Sequence, residues 1–409
     1  MAAVRTSAVS TRHPIDRKSV YIAAGLLSGI GAMISSTMPM VIGAMAETFK
    51  FSESQLGDII AVFNLTFTLI AVASLFFVRR INWKFAAFLG SGISIASLLA
   101  VARTGNYQSI MMLFGVMGIG FGGLYALGMV VMGDSENPDR AFGVKLGLET
   151  LPATILLFAL PVLVIPTYGF MGMAYAMAAT CLVIGLLSGI LPSRGVKNDA
   201  TLSPPLAEAD KNASAGSKSS TAPLTLSLLT LTSGIIFFSG IVATWAFLEI
   251  MGTDKGLPAD KVGVTLALGM ISSAVGAFVA AWLGNKAGRN LPLIAIMIVN
   301  IVSLIIIWRS TSLMSFALGA ILFTFCVNYG LAYFFGLSAE VDSSGRFVVL
   351  SATTLSLGGV MGPALAGRMM EGQGFETVLA FSAICSILSL AIYMIVVRLG
   401  RLETFNMGS

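Results

Sequence analysis

The sequence offers little from which to build a water-facing surface. Of its 409 residues only 11% are charged, one is histidine and three are cysteine, whereas an average soluble domain is about a quarter charged. That scarcity excludes a soluble globular fold. The lone histidine, His13, sits in a polar N-terminal stretch, and Cys181, Cys326 and Cys385 stand singly inside apolar runs. Neither a disulfide framework nor a His/Cys metal site can be assembled from them. A Gly-x-x-x-x-Gly-Lys-[Ser/Thr] loop is also missing, which disfavours an ATP-driven pump. No nucleophile-base pair marks an enzyme, and no cofactor is expected. The net charge of +5 is scattered between apolar runs rather than gathered on one amphipathic face, so it speaks of topology and not of nucleic acid.

What the chain has is apolar length: 56% of its residues are hydrophobic and its mean hydropathy is +0.91. A helix needs about 20 apolar residues to cross about 30 Å of hydrocarbon. Cutting the sequence at its polar clusters leaves twelve such runs, at 19–46, 54–78, 84–102, 107–132, 141–166, 170–192, 224–250, 258–284, 291–308, 311–337, 347–368 and 375–398. They are too long and too uniform for the alternating strands of a membrane barrel, so the fold class is all-α and polytopic. The first run exceeds a signal-peptide core and reads as a retained span. With the N-terminus inside, 18 of the 24 Lys and Arg residues fall in inner segments, against six outside (Lys50, Arg103, Lys255, Lys261, Arg309 and Arg368). This bias predicts both termini in the cytoplasm, in a bacterial inner membrane.

Residues 193–222, SRGVKNDATLSPPLAEADKNASAGSKSSTA, hold too little apolar surface to fold and read as a flexible linker. The expected organisation is a tail (1–18), a six-helix bundle (19–192), the linker, a second six-helix bundle (223–398) and a tail (399–409). The halves repeat at an offset of 206: FSESQLGDIIAVFN at 51–64 aligns with LPADKVGVTLALGM at 257–270, superposing Gly57 on Gly263. The same shift brings Arg80 onto Lys286 and Arg140 onto Arg346.

Polar groups inside the spans mark candidate sites. In RAFGVKLGLETLP, Glu149 lies nine residues past Arg140, roughly 13 Å into its helix, where a charge costs about 2.5 to 3.5 kcal/mol and turns toward a partner or a cavity. Lys145 stands four residues earlier, on the same face. The two form either a structural ion pair or a proton-carrying and substrate-binding pair. Asp58 and Glu249, near the outer ends of spans two and seven, are further proton-coupling candidates. Asn64, Asn328 and, more peripherally, Asn300 offer amides to a solute or to a neighbouring helix. Trp245, four residues before Glu249, is either an interfacial aromatic or a substrate contact. The small-residue stretches GVMGIGFGG (115–123) and LGGVMGPALAG (357–367) allow close helix packing, and Pro152, Pro161 and Pro363 are positioned to bend their helices.

The six-plus-six layout with its central linker, the loops GNKAGRN (284–290) and VRRINWK (78–84), and LGGVMGPALAG together resemble the major facilitator superfamily. The resemblance covers essentially the whole chain. It implies two pseudo-repeated bundles that rock about a midplane site, with spans one, four, seven and ten around the cavity. Their central positions here are Ser36, Thr37, Tyr125, Phe237, Phe238, Asn328, Tyr329 and Tyr333. It also implies a gating role for Lys286 and Arg289, although Asn285 replaces the acid usual in that loop. Drug antiporters of the family carry a Gly-x-x-x-Gly-Pro motif in span five. Gly143 and Gly147 keep its spacing, but Leu148 and Glu149 stand where the proline and its neighbour would be. The expected activity is therefore proton-coupled uptake of a small organic solute, such as an aromatic or monocarboxylate metabolite, by a monomer in the lipid bilayer. Proton-coupled efflux of hydrophobic drugs is one competing reading, and a membrane sensor or scaffold that does not transport is another.

Overall fold

The computed structural model describes residues 14–135, 138–195, 224–283, 290–341 and 346–406, and every regular element among them is helical. In chain order the helices are α1 (Lys18–Ser36), α2 (Met38–Phe49), α3 (Glu53–Phe77), α4 (Trp83–Val101), α5 (Tyr107–Gly133), α6 (Pro138–Ala159) and α7 (Ile165–Gly185), then α8 (Leu224–Asp254), α9 (Ala259–Leu283), α10 (Asn290–Arg309), α11 (Leu313–Val341), α12 (Arg346–Met370) and α13 (Glu376–Asn406). Ten stretches among the described residues are long and apolar enough to cross a membrane, and the protein is a multi-pass membrane protein. One of them, Val144–Ile190, holds two of the expected spans. They divide at Gly169, whose φ of 56° and ψ of −151° suit a residue without a Cβ.

Local chemistry sets the helix ends. Ser52 opens α3 with a capping box: its hydroxyl accepts from the Gln55 amide (3.3 Å) while the Gln55 side chain accepts from the Ser52 amide (3.1 Å). Asn82 and Asn106 cap α4 and α5. Two breaks interrupt otherwise continuous apolar runs. Span one divides at Thr37 into α1 and α2, just before Pro39. Between α6 and α7 a π-helical turn, Leu160–Val164, surrounds Pro161, which cannot donate to the helix ladder. The last helix continues to Asn406, past the end at 398 expected from hydropathy, because RLETFN is polar but carries no helix breaker.

Glycine sets how closely the helices approach. On α5, Gly118 and Gly122 face α3 while Gly120 faces Gly90 and Ser94 of α4, as i, i+4 spacing on opposite faces requires. On α12, Gly358 and Gly362 lie against Phe238 and Ser239 of α8, and Gly359 and Gly367 face Asn64 and Glu53 of α3. Helices α1 to α7 pack on one another, as do α8 to α13; the bundles meet through α3 with α12, α2 with α8, and α6 and the π turn with α9. We call the end of the molecule bearing Lys18 and Asn406 proximal, and the end bearing Lys50 and Lys255 distal. Gly57 meets the Pro363 carbonyl and Gly263 meets the Pro161 ring, so the two glycines superposed by the 206 offset occupy matching cross-bundle contacts in the distal half.

A Cβ at Gly122 would stand 2.7 Å from the Phe67 carbonyl oxygen, whereas nothing lies within 4 Å of one at Gly123. Gly122→Val is therefore expected to destabilise the protein by about 1 to 3 kcal/mol through overpacking, and Gly123→Ala to stay within about 0.5 kcal/mol of the parent. Thermal unfolding of the two variants in detergent measures the contrast.

Candidate functional site

A charge pair within a membrane-crossing stretch belongs to α6. Lys145 is 1% exposed and its ammonium pairs with Oε2 of Glu149, which is 13% exposed. The pairing follows from their i, i+4 spacing. What brings other helices to it is the sequence GLLSG of α1. Gly25 and Gly29 let Leu148 and Pro152 of α6 pack directly on the α1 backbone, so that a Cβ at Gly29 would touch the Glu149 carbonyl oxygen at 2.9 Å. Between those glycines, Ser28 donates its hydroxyl to Oε2 of Glu149 at 2.9 Å. Gly128 of α5 makes room for Ser28, and Gly31 of α1 lies against the Tyr125 backbone. Tyr125 thereby places its ring under the Lys145 ammonium, 4.4 Å from the centroid, a distance at which a cation is held by the ring's negative face. Phe67 of α3 continues the aromatic surface, 5.6 Å from Tyr125 between centroids.

The result is a cation and an anion that neutralise each other, a hydroxyl on the anion and an aromatic face on the cation. Tyr125, Phe67 and Glu149 are only partly buried. In a low-dielectric interior such a pair is held only while both partners stay charged and satisfied.

The other expected site residues are dispersed. Asp58, named from sequence as a proton-coupling candidate, forms an ion pair with Arg368 of α12 at 2.9 Å, joining the bundles distally. Asn64 donates to the Gly359 carbonyl at 2.7 Å, a second bond between α3 and α12. Trp245 points across to α1 and donates its indole N–H to the Ser35 carbonyl at 3.0 Å. The Glu249 carboxylate lies against Gly43 of α2. Among the described residues no cation stands within ion-pair distance of Glu249, and the charged groups that face it are Glu47 and Asp254. Thr37 is buried and bonds its own helix at the Met33 carbonyl (2.8 Å), while Ser36 beside it is half-buried.

Phe237 and Phe238, expected on the cavity wall, are buried; Gly330 lies against the Phe237 ring, and Gly358 lets α12 approach the Phe238 backbone and Cβ. Asn328 and Tyr329 lie in α11, the latter buried and stacked on Phe325 at 5.7 Å. Asn300 is fully buried and bonds Ser386 of α13, in keeping with its peripheral reading. Tyr333 falls in α11 with its side chain outside the described residues, and Lys286 and Arg289 lie outside them altogether.

Sequence reasoning missed Ser28, Phe67 and Arg368 as partners. The signal for Ser28 was present, since it is the only polar residue of GLLSG and sits between two glycines spaced for close packing. It also missed that Asp134, at the end of α5, clamps Arg79 of the loop 78–84 with two bonds of 2.6 and 3.1 Å.

Two helical bundles related by an internal repeat, meeting around buried polar groups, define the secondary-transporter class of fold. The profile of the Major Facilitator Superfamily matches residues 20–341; the chain belongs to that superfamily and is a membrane transporter. Its architecture is similar to crystal structures of the nucleoside transporter NupG and of a bacterial homologue of the human lysosomal transporter Spinster. A mutant form of NupG covers 92% of this chain and 99% of its own at a TM-score of 0.75 and 12% identity. The Spinster homologue, inward-facing and unoccupied, covers 92% and 96% at a TM-score of 0.68 and 14% identity. A search of curated proteins returns no match.

Removing Glu149 strands the Lys145 ammonium in a dry setting, so Glu149→Ala should cost about 3 to 5 kcal/mol, and Lys145→Met in the same chain should restore most of the loss. Melting temperatures of the single and double variants in detergent test the pairing.

Proposed function

We propose that the protein is an alternating-access symporter that takes up a small organic monoanion, aromatic or otherwise amphipathic, together with a proton. Glu149 exchanges the proton and Lys145 binds the anion. The observation that carries this reading is the Lys145–Glu149 pair, bonded by Ser28 and laid on the Tyr125 ring. Protonation of Glu149 ends the pairing and frees the ammonium to hold a substrate carboxylate. Departure of the substrate lets Lys145 reclaim Glu149 once the proton has left. Each event favours the other, the thermodynamic sign of symport. Tyr125 and Phe67 supply an apolar face for the remainder of the solute. Asp58, bound to Arg368, belongs on this reading to distal closure rather than to the proton path.

A solute bearing two or more negative charges is disfavoured, because Lys145 is the only cation at the site among the described residues and multiply charged anions call for arginine. The lysine and arginine bias supports both termini in the cytoplasm. Proton-linked efflux of hydrophobic solutes is the second reading, favoured by the aromatic surface of Phe67, Tyr125, Phe325 and Tyr329.

Purified protein in liposomes, given a pH gradient and a panel of aromatic monocarboxylates and nucleosides, is expected to accumulate a monocarboxylate. Glu149→Gln should lower gradient-driven accumulation at least about tenfold, equivalent to ~1.4 kcal/mol of coupling, while sparing substrate exchange at equal pH. Full accumulation by this variant would refute the proton role. Accumulation in the opposite direction, in cells, would favour efflux.

A further inference from the structure

Span one is broken where it meets the other bundle. In an unbroken helix the amide of residue 39 would donate to the Ser35 carbonyl; Pro39 has no N–H, so that acceptor is orphaned. The neighbouring bonds persist, from the Thr37 amide to Met33 (2.9 Å) and from the Val41 amide to Thr37 (3.1 Å). The missing donor comes from the other half of the molecule, as the indole N–H of Trp245 on α8, 3.0 Å from the Ser35 oxygen. One turn further along α8, the Glu249 carboxylate fills the space beside Gly43 of α2, where a Cβ would collide with it. The repeat offset of 206 superposes Pro39 on Trp245 and Gly43 on Glu249. Equivalent positions of the two halves thus meet face to face, and in each pair a residue that leaves a gap receives one that fills it.

We propose that these two insertions form the latch that holds the distal face closed, with the proline-freed carbonyl of Ser35 as its keyhole. Helix α2, rather than α1, carries the main contact with α8, so the latch grips only the part of span one beyond the break. A small apolar void lined by Ile34, Val41, Phe114, Met117 and Phe170 lies beside that break, so the contacts that α2 makes there are apolar and can be remade without stranding a polar group. The Asp58–Arg368 pair spans the same closure, but its side chains are 32% and 56% exposed, and exposed pairs hold little. The half-buried indole bond, less exposed than that pair, therefore carries more of the closure.

The inference rests on alternating access but not on the role of Glu149, and its test reads a distance without substrate or gradient. Spin labels are placed at Arg103 and Thr311, exposed distal positions in different bundles, in a chain whose three buried cysteines are replaced by alanine. Trp245→Phe is expected to raise the population with a long distal distance roughly three- to tenfold, the effect of one net hydrogen bond. Pro39→Ala returns a backbone donor to Ser35 and should produce a similar shift, and combining the two should add nothing further. Gly43→Ala should open the distal face as well, and Glu249→Ala in the same chain should close it again. That size exchange keeps the test readable where Trp245→Phe reduces folded yield. An unchanged distance distribution in Trp245→Phe, additive shifts with Pro39→Ala, or failure of Glu249→Ala to reverse Gly43→Ala would each overturn the latch.

Discussion

Most of this molecule answers to one constraint: inside a bilayer there is no water to satisfy a polar group, so a partner has to come from within the protein, and the exceptions among the described residues are few, such as Thr244, Ser382 and the Asn300 side-chain carbonyl. The backbone obeys by being helical throughout the described residues. Many hydroxyls obey by turning back on their own helices, as Ser94 does to Gly90, Thr265 to Lys261 and Thr324 to Ala320. Where a helix cannot satisfy itself, a distant residue is drawn in. Pro39 orphans a carbonyl and a tryptophan some two hundred positions away supplies the donor. The charges of Lys145 and Glu149 satisfy each other and recruit Ser28 and Tyr125.

The same constraint explains why glycine does so much of the structural work. Between helices in lipid there is no hydrophobic drive to associate, and close contact has to come from shape. Gly25 and Gly29 bring α1 onto α6, and with it a serine onto a glutamate. Gly57 and Gly263, related by the repeat, bring the bundles together at matching places. Symmetry supplies the frame; departures from it supply the chemistry. Glu149 has leucine at its repeat partner, Leu355, and Glu249 has glycine, so each acid belongs to one half alone.

Span positions were legible in the sequence because hydropathy is a local property, and helix boundaries fall within a few residues of the polar clusters for most spans. The break at Thr37 was not, since Met38 to Met45 are as apolar as what precedes them; only Pro39 marked it. The pairing of Glu149 with Lys145 was legible from spacing along one helix. Partners contributed by other helices were not. Asp58 stood as a proton-coupling candidate with no partner in view because its cation, Arg368, lies in the other half of the chain, and Trp245 stayed open between interface and substrate because its acceptor is a backbone carbonyl freed elsewhere. Periodicity reports which face a residue occupies and says nothing of what stands opposite.

Charge bookkeeping gives the proposed cycle its obligatory character. With the site empty, Lys145 and Glu149 sum to zero. With a proton on Glu149 and a monoanion on Lys145, the sum is again zero. A proton alone leaves one positive charge at mid-membrane, and an anion alone leaves one negative charge. At about 2.5 to 3.5 kcal/mol for a charge at that depth, each half-loaded state is disfavoured roughly a hundredfold relative to the neutral ones. A carrier that rocks only when its centre is neutral thus moves both ligands or neither. Coupling then needs no mechanical link between the two binding events, only a lysine and a glutamate one helical turn apart in a dry place.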